Sequence, residues 1–244
     1  MEYKYTSIVL GKRDVGETDR IYFLYTFEGG KVQALAKGVR KTGAKLAGSL
    51  ENFIYADIAI AKNQGMGKIT GSVVENGFSS LRGDYYALSK VTASLNIFNK
   101  IVGMENKDIA VFEILRDYLE VMDSQSLVVS TMEISEYEDK IELLTAVFLI
   151  KLLEVLGYGS EMENCVECGK KIGLGNIAFS AKSGGIVCDD CNGLARAQLF
   201  LGVNSVKLMR MAAKNDLKSF IRLKVQRKDL NATKMAIKEI LEWM

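Results

Sequence analysis

The 244-residue chain contains no histidine and no proline. Without imidazole, Ser-His-Asp and Cys-His catalysis are excluded, and so is every His-ligated metal centre. Without proline the usual mark of a linker is missing, so boundaries must be read from glycines and from changes of hydrophobic period. No apolar run reaches the roughly 18 residues of a membrane-spanning helix. The opening MEYKYTSIVLG has no basic segment leading into an apolar one, so no secretory leader is expected. No Gly-rich phosphate loop followed by Lys-Ser/Thr occurs, which argues against P-loop nucleotide hydrolysis. What is present is ordinary for a globular protein: 48% apolar and 25% charged residues. A chain this long buries about 70% of its unfolded surface and needs no staples to fold.

The net charge is only +2, but it is unevenly spread. Residues 1–80 carry net +3, residues 81–156 net −6, residues 157–200 net −1 and residues 201–244 net +6. Basic ends around an acidic middle fit a polyanionic partner, and ordinary scatter of solvated charge fits them equally.

The first 80 residues read as β-structure. Segments 6–10, 21–27, 31–36, 53–60 and 68–74 are short and rich in β-branched and aromatic residues. Glu28-Gly29-Gly30 and Asn63–Gly67 supply turns. Ile54, Ala56, Ile58 and Ile60 alternate as one buried face. Five strands in about 75 residues suit a small closed barrel such as an OB-fold, and an SH3-like barrel meets the same count.

From residue 81 the period becomes helical. Asp84 and Asp108 are candidate caps for two helices, and a third spans about 135–156, with Glu136, Glu138, Asp139 and Glu142 near its N-terminus. After a Gly- and Cys-rich segment helicity resumes, with Asn204 or Ser205 as cap, and the last helix covers 229–244 with Asp229 as cap. The expected class is an α+β multi-domain protein. Its N-terminal OB-fold β-barrel spans 1–80, its α-helical domain spans 81–160 and 194–244, and a zinc ribbon of 161–193 is inserted in that helical domain.

All four cysteines lie in the pattern Cys165-x2-Cys168-x19-Cys188-x2-Cys191. This spacing fits one tetrahedral zinc ion, because a two-residue gap lets both thiolates of a tight turn point at the same ion. Gly169 after the first pair, and Asn192-Gly193 after the second, tolerate the positive φ such turns require. Residues 177–180 and 185–188 flank a hairpin turn at 181–184. Four thiolates leave no open coordination position, so one Zn2+ is expected in a structural role, with Lys170, Lys171 and Lys182 offsetting its charge. Two disulfides or a redox Cys-x-x-Cys are the competing readings. Neither has a supporting context, since nothing indicates secretion and no thioredoxin-like βα unit surrounds the pairs.

Lys37, Arg40, Lys41 and Lys45 fall between the third and fourth strands in a Gly-containing loop able to follow a phosphate backbone. Lys12, Arg13 and Arg20 lie at neighbouring strand ends, and Phe53 or Tyr55 could stack bases there. The bland alternative is a solvated loop with both aromatics buried. A second basic cluster, Lys218, Arg222, Lys224, Arg227 and Lys228, reads more simply as surface charge. A zinc-ribbon RNA- or polymerase-binding transcription module is the rival class. An enzyme using Glu17 and Asp19 is a weaker one, because Glu17-Thr-Asp19 reads more simply as a turn.

In combination these features resemble the RecO family of bacterial recombination mediators. The likeness lies in Ile8-Val-Leu-Gly-Lys-Arg-Asp-Val-Gly-Glu-Thr-Asp19-Arg20, in Gly30-Lys-Val and Ala36-Lys37-Gly38-Val-Arg40-Lys41, and in Gly48-Ser-Leu-Glu-Asn-Phe53. It continues through Leu156-Gly157-Tyr158 before the first Cys pair and Phe179-x5-Gly185-x2-Cys188-x2-Cys191. Asn52 stands where the family usually has proline. The resemblance covers roughly residues 1–210. It implies an OB-fold that binds single- and double-stranded DNA, strand annealing, and recombinase loading onto DNA coated by single-strand-binding protein. It further implies a RecR partner, a contact with the acidic tail of single-strand-binding protein, no catalytic site, no membrane association and a cytoplasmic, nucleoid-associated location.

Overall fold

The computed structural model describes residues 1–63, 65–104, 107–172, 177–195 and 199–244. Two compact units divide the chain, Met1–Leu127 and Val128–Met244.

In the first unit β1 (Glu2–Val15), β2 (Asp19–Thr26), β3 (Gly30–Ala36), β4 (Tyr55–Ala61) and β5 (Gly67–Asn76) close in the order β1-β2-β3-β5-β4. All neighbours are antiparallel except β3 and β5, which meet in parallel at Ala34–Gly67 and Leu35–Lys68. This order is OB-like and decides between the two barrels the strand count allowed. β1 is longer than its apolar segment because it pairs with both β2 and β4, and a register shift between Val9 and Gly11 bends it to serve both. Ile54, Ala56, Ile58 and Ile60 face inward as expected, with Val9, Tyr22, Leu24 and Ile69. Gln64, within the expected β4–β5 turn, lies outside the described residues.

Three helices follow: α1 (Ser79–Gly83), α2 (Tyr85–Ile101) and α3 (Ile109–Ser126). Asp84 and Asp108 cap α2 and α3, accepting hydrogen bonds from the N–H groups of Ala87 and Ala110. Phe98 of α2 meets Tyr25 of β2 edge-on at 5.1 Å. Phe112 of α3 contacts Tyr25 at 6.4 Å, Phe27 at 5.7 Å and Tyr55 at 6.2 Å. Lys31 of β3 donates to the carbonyls of Asn99 (2.8 Å) and Val102 (2.6 Å), where the α2 macrodipole is negative. The division at Leu127 thus assigns residues 79–127 to the barrel's unit, although hydrophobic period alone groups 81–160 with 194–244. These aromatic contacts cross the change of period.

The second unit contains α4 (Ile134–Val155), β6 (Ile177–Ser180), β7 (Gly185–Val187), α5 (Asp189–Ala195), β8 (Leu199–Leu201), α6 (Val203–Lys214) and α7 (Arg227–Trp243). α4 packs on both α6 and α7, so the helices before and after the Cys-rich segment come together. Two expected caps are corrected. Gly202, not Asn204 or Ser205, precedes α6, and α7 begins at Arg227, before Asp229. These polar residues tie the helices to each other instead. Ser205 donates to the Asp229 carbonyl at 3.1 Å and Asn204 to its carboxylate at 3.3 Å. Lys140 of α4 is buried and donates to the carbonyls of Ile221 (2.5 Å) and Leu223 (2.9 Å), holding the segment before α7. Among the described residues no helix is long and apolar enough to cross a membrane.

Candidate nucleic-acid interface and metal centre

The first Cys pair is a tight turn. The Gly169 N–H bonds to the Cys165 carbonyl at 2.8 Å, and the Cys165 N–H bonds to the Lys170 carbonyl at 2.8 Å. Gly169 takes φ +73°, as its place after the pair requires. The second pair differs from expectation: Cys188 precedes α5, and the Asn192 N–H continues that helix by bonding to the Cys188 carbonyl at 3.0 Å. Asn192 is therefore helical. Asp189 and Asp190 in the first turn complement the macrodipole and favour a helix start over a second turn. β6 and β7 form the expected hairpin, and β8 adds a third strand on the other side of β6.

All four cysteines are free thiols, and their Sγ atoms lie within 4.8 Å of one another. A tetrahedral ion with bonds of about 2.3 Å spaces its sulfur ligands about 3.8 Å apart, and Cys168 and Cys188 stand at 3.8 Å. Burial pushes the Cys165 thiol up, but hydrogen bonds from the backbone of Cys188, Cys168 and Glu167 outweigh it and bring it down to about 6. The neighbouring sulfurs of Cys188 and Cys168 push Cys191 up to about 12. Four sulfurs this close ionise together only around a shared cation, so the donor set fits a soft tetrahedral metal. Of the lysines expected to offset its charge, Lys170 pairs with Asp190 at 3.6 Å.

At the barrel, the turn joining β1 to β2 and the basic loop after β3 are one connected structure. Asp19 accepts the Gly38 N–H at 2.7 Å and the Thr18 hydroxyl at 3.0 Å, and the Arg40 N–H bonds to the Thr18 carbonyl at 3.0 Å. The Gly38 bond, then the Thr18 bond, hold the Asp19 carboxyl below its usual range. Asp14 accepts from Arg20 at 2.7 Å and pairs with Arg40 at 3.4 Å. Lys12 pairs with Glu51 at 2.5 Å. Arg13, Lys37, Arg40, Lys41 and Lys45 are exposed. Among the described residues, the seven cations expected near this rim therefore divide into four without a carboxylate partner (Arg13, Lys37, Lys41, Lys45) and three that have one. Neither aromatic serves as a stacking platform. Phe53 is buried, and the half-buried Tyr55 ring meets Phe112 of α3 edge-on at 6.2 Å.

Two family models describe this chain. The Recombination protein O N terminal model matches residues 1–78, and the Recombination protein O C terminal model matches residues 82–244. The chain belongs to the RecO family. It is similar to the DNA repair protein RecO of Dehalococcoides mccartyi, 32% identical over 237 residues covering 97% of this chain and 88% of that protein. The DNA repair protein RecO of Listeria monocytogenes is 30% identical over 213 residues, 85% of this chain and 76% of its own. That of Alkaliphilus metalliredigens is 27% identical over 225 residues, 92% and 86%. The present chain is a RecO-family DNA repair protein with an OB-like barrel and a four-cysteine cluster able to hold a metal ion.

The second basic cluster of this RecO-family chain is partly neutralised by the fold. Lys224 pairs with Glu136 at 2.6 Å and Arg227 with Asp139 at 2.8 Å, and beyond the cluster Lys234 pairs with Glu142. The acidic face of α4 thereby meets the basic C-terminal segment. Lys218, Arg222 and Lys228 are exposed.

Proposed function

We propose that this chain is a non-enzymatic DNA-binding recombination mediator. It binds single- and double-stranded DNA through the barrel rim, promotes annealing and loads recombinase onto DNA coated by single-strand-binding protein. Lys37, Arg40, Lys41 and Lys45 contact the backbone, with Lys12, Arg13 and Arg20 flanking. RecR and the acidic tail of single-strand-binding protein are its protein partners, and the C-terminal basic cluster of Lys218, Arg222, Lys224, Arg227 and Lys228 is a second candidate patch for DNA or an acidic partner. The metal is one structural zinc ion held by Cys165, Cys168, Cys188 and Cys191. The protein works in the cytoplasm at the nucleoid.

The observation that carries this reading is the exposed basic loop anchored to the β1–β2 turn of an OB-like barrel. Phosphate neutralisation there tolerates any base sequence, and each contact contributes about 0.7 to the salt slope on single strands. A variant with Arg40→Glu and Lys41→Glu is expected to bind single-stranded DNA weakly and to anneal slowly while keeping its fold and zinc. Parental binding and annealing at moderate salt would move the DNA face to the C-terminal cluster.

A further inference from the structure

Asp14 stands between two arginines of the proposed DNA face. One carboxylate oxygen accepts from Arg20 Nε at 2.7 Å, and the other lies 3.4 Å from Arg40 Nη1. Arg40 Nη1 also donates to the Gly16 carbonyl at 3.3 Å, which fixes its direction. Arg20 and Arg40 are the only side-chain partners of the Asp14 carboxylate among the described residues. It is half exposed, and among the described residues no backbone N–H bonds to it. Asp19 differs, because its carboxylate holds the Gly38 N–H.

Two guanidinium groups bridged by one carboxylate are also spaced for the two non-bridging oxygens of a phosphodiester, which carry the same single negative charge on a similar two-acceptor face. We propose that Arg20 and Arg40 form a phosphodiester site that Asp14 fills in the free protein, so that Asp14 competes internally with the DNA backbone. This rests on the rim's being the DNA face. In the free protein the trio carries one net positive charge, and the two arginines are held together instead of repelling one another. When DNA arrives, its phosphate takes the place of the carboxylate, which turns into solvent.

The test is single-stranded DNA binding by Asp14→Asn and Asp14→Ser, followed with a fluorescent oligothymidylate over a salt series. Circular dichroism checks the fold. Both variants are expected to bind about two- to fivefold more tightly at low salt, the scale of an exposed ion pair. The gain should fade at high salt, where the carboxylate is screened in the parent as well. A residue that merely supported the loop would give weaker binding on removal. Unchanged or weaker binding by folded variants overturns the proposal. If the Arg40→Glu, Lys41→Glu protein has lost binding while the Asp14 variants gain nothing, the DNA face stands and the competitor role falls. If the charge reversal is also silent, both fall.

Discussion

The Asp19 carboxylate accepts the Gly38 backbone N–H at 2.7 Å and so joins the β1–β2 turn to the basic loop. The acidic turn is thereby the anchor of the cationic surface. The Asp19 carboxyl lies below its ordinary value of 3.8, chiefly because the Gly38 bond favours the ionised form, with Thr18 adding to it against the effect of burial. A depressed folded pKa means that this stabilisation is fully present above the ordinary value and is lost as pH falls through the folded one. The Gly38 amide resonance is therefore expected to be constant above about pH 5 and to shift in acid, below 3.8. In Asp19→Asn that acid transition should vanish, and Lys37 to Lys41 should exchange faster with solvent. A Gly38 resonance that titrates identically in both proteins would refute the anchor.

Metal removal should affect only the ribbon. Around the cysteines the described apolar cluster centres on Cys165, Ala178 and Val187, so a metal cross-link there is expected to supply much of the local stability. Cys168→Ser is expected to release zinc and open residues 165–191 to protease, while the barrel keeps its β circular dichroism. Elemental analysis of protein purified without chelator should find one zinc per chain, and finding none would refute the assignment.

Gly185 allows the ribbon sheet to close on the chain entering it. A Cβ at this position would lie 2.2 Å from the Glu161 carbonyl oxygen and 2.9 Å from both its carbonyl carbon and its nitrogen. All three are backbone atoms, fixed by the bonds Glu161 N–H to Gly184 and Ile186 N–H to Glu161, each 2.9 Å. Gly185→Ala should cost at least about 1–3 kcal/mol by denaturant unfolding. Gly48→Ala, which meets nothing within 4 Å, should stay within about 0.5 kcal/mol.

Phe112 couples α3 to the barrel through Tyr25, Phe27 and Tyr55. Phe112→Ala should destabilise the unit Met1–Leu127 by about 3–5 kcal/mol, the usual cost of emptying a buried aromatic site. Urea unfolding followed by tyrosine absorbance reads this directly. A loss below about 1 kcal/mol would mean that the helices and barrel are independently stable.

Local chemistry was legible in the residues. The four clustered cysteines followed from two Cys-x2-Cys spacings, the inner face of β4 from alternation at Ile54, Ala56, Ile58 and Ile60, and two helix starts from Asp84 and Asp108. β8 escaped notice because three residues show no period. Asn204, Ser205 and Asp229 looked like caps because their type suits that role, yet they bond to each other across two helices. Nothing along the chain marks Lys31 and Lys140 as donors to backbone carbonyls, because those carbonyls lie some seventy to eighty residues away.

The sequence by itself determined which four cysteines are candidate metal ligands, which strands alternate, and that cations gather in the loop of residues 37–45. These properties are set by neighbours along the chain, whose separation is covalent. Only the tertiary structure decided which charges remain exposed. Arg20 and Arg40 share Asp14, while Lys224, Arg227 and Lys234 meet the acidic face of α4 some ninety residues earlier. It likewise placed Tyr55 against Phe112 instead of leaving it as a stacking platform. Charge pairing and aromatic packing depend on distance in space, and a sequence records that distance only between neighbours.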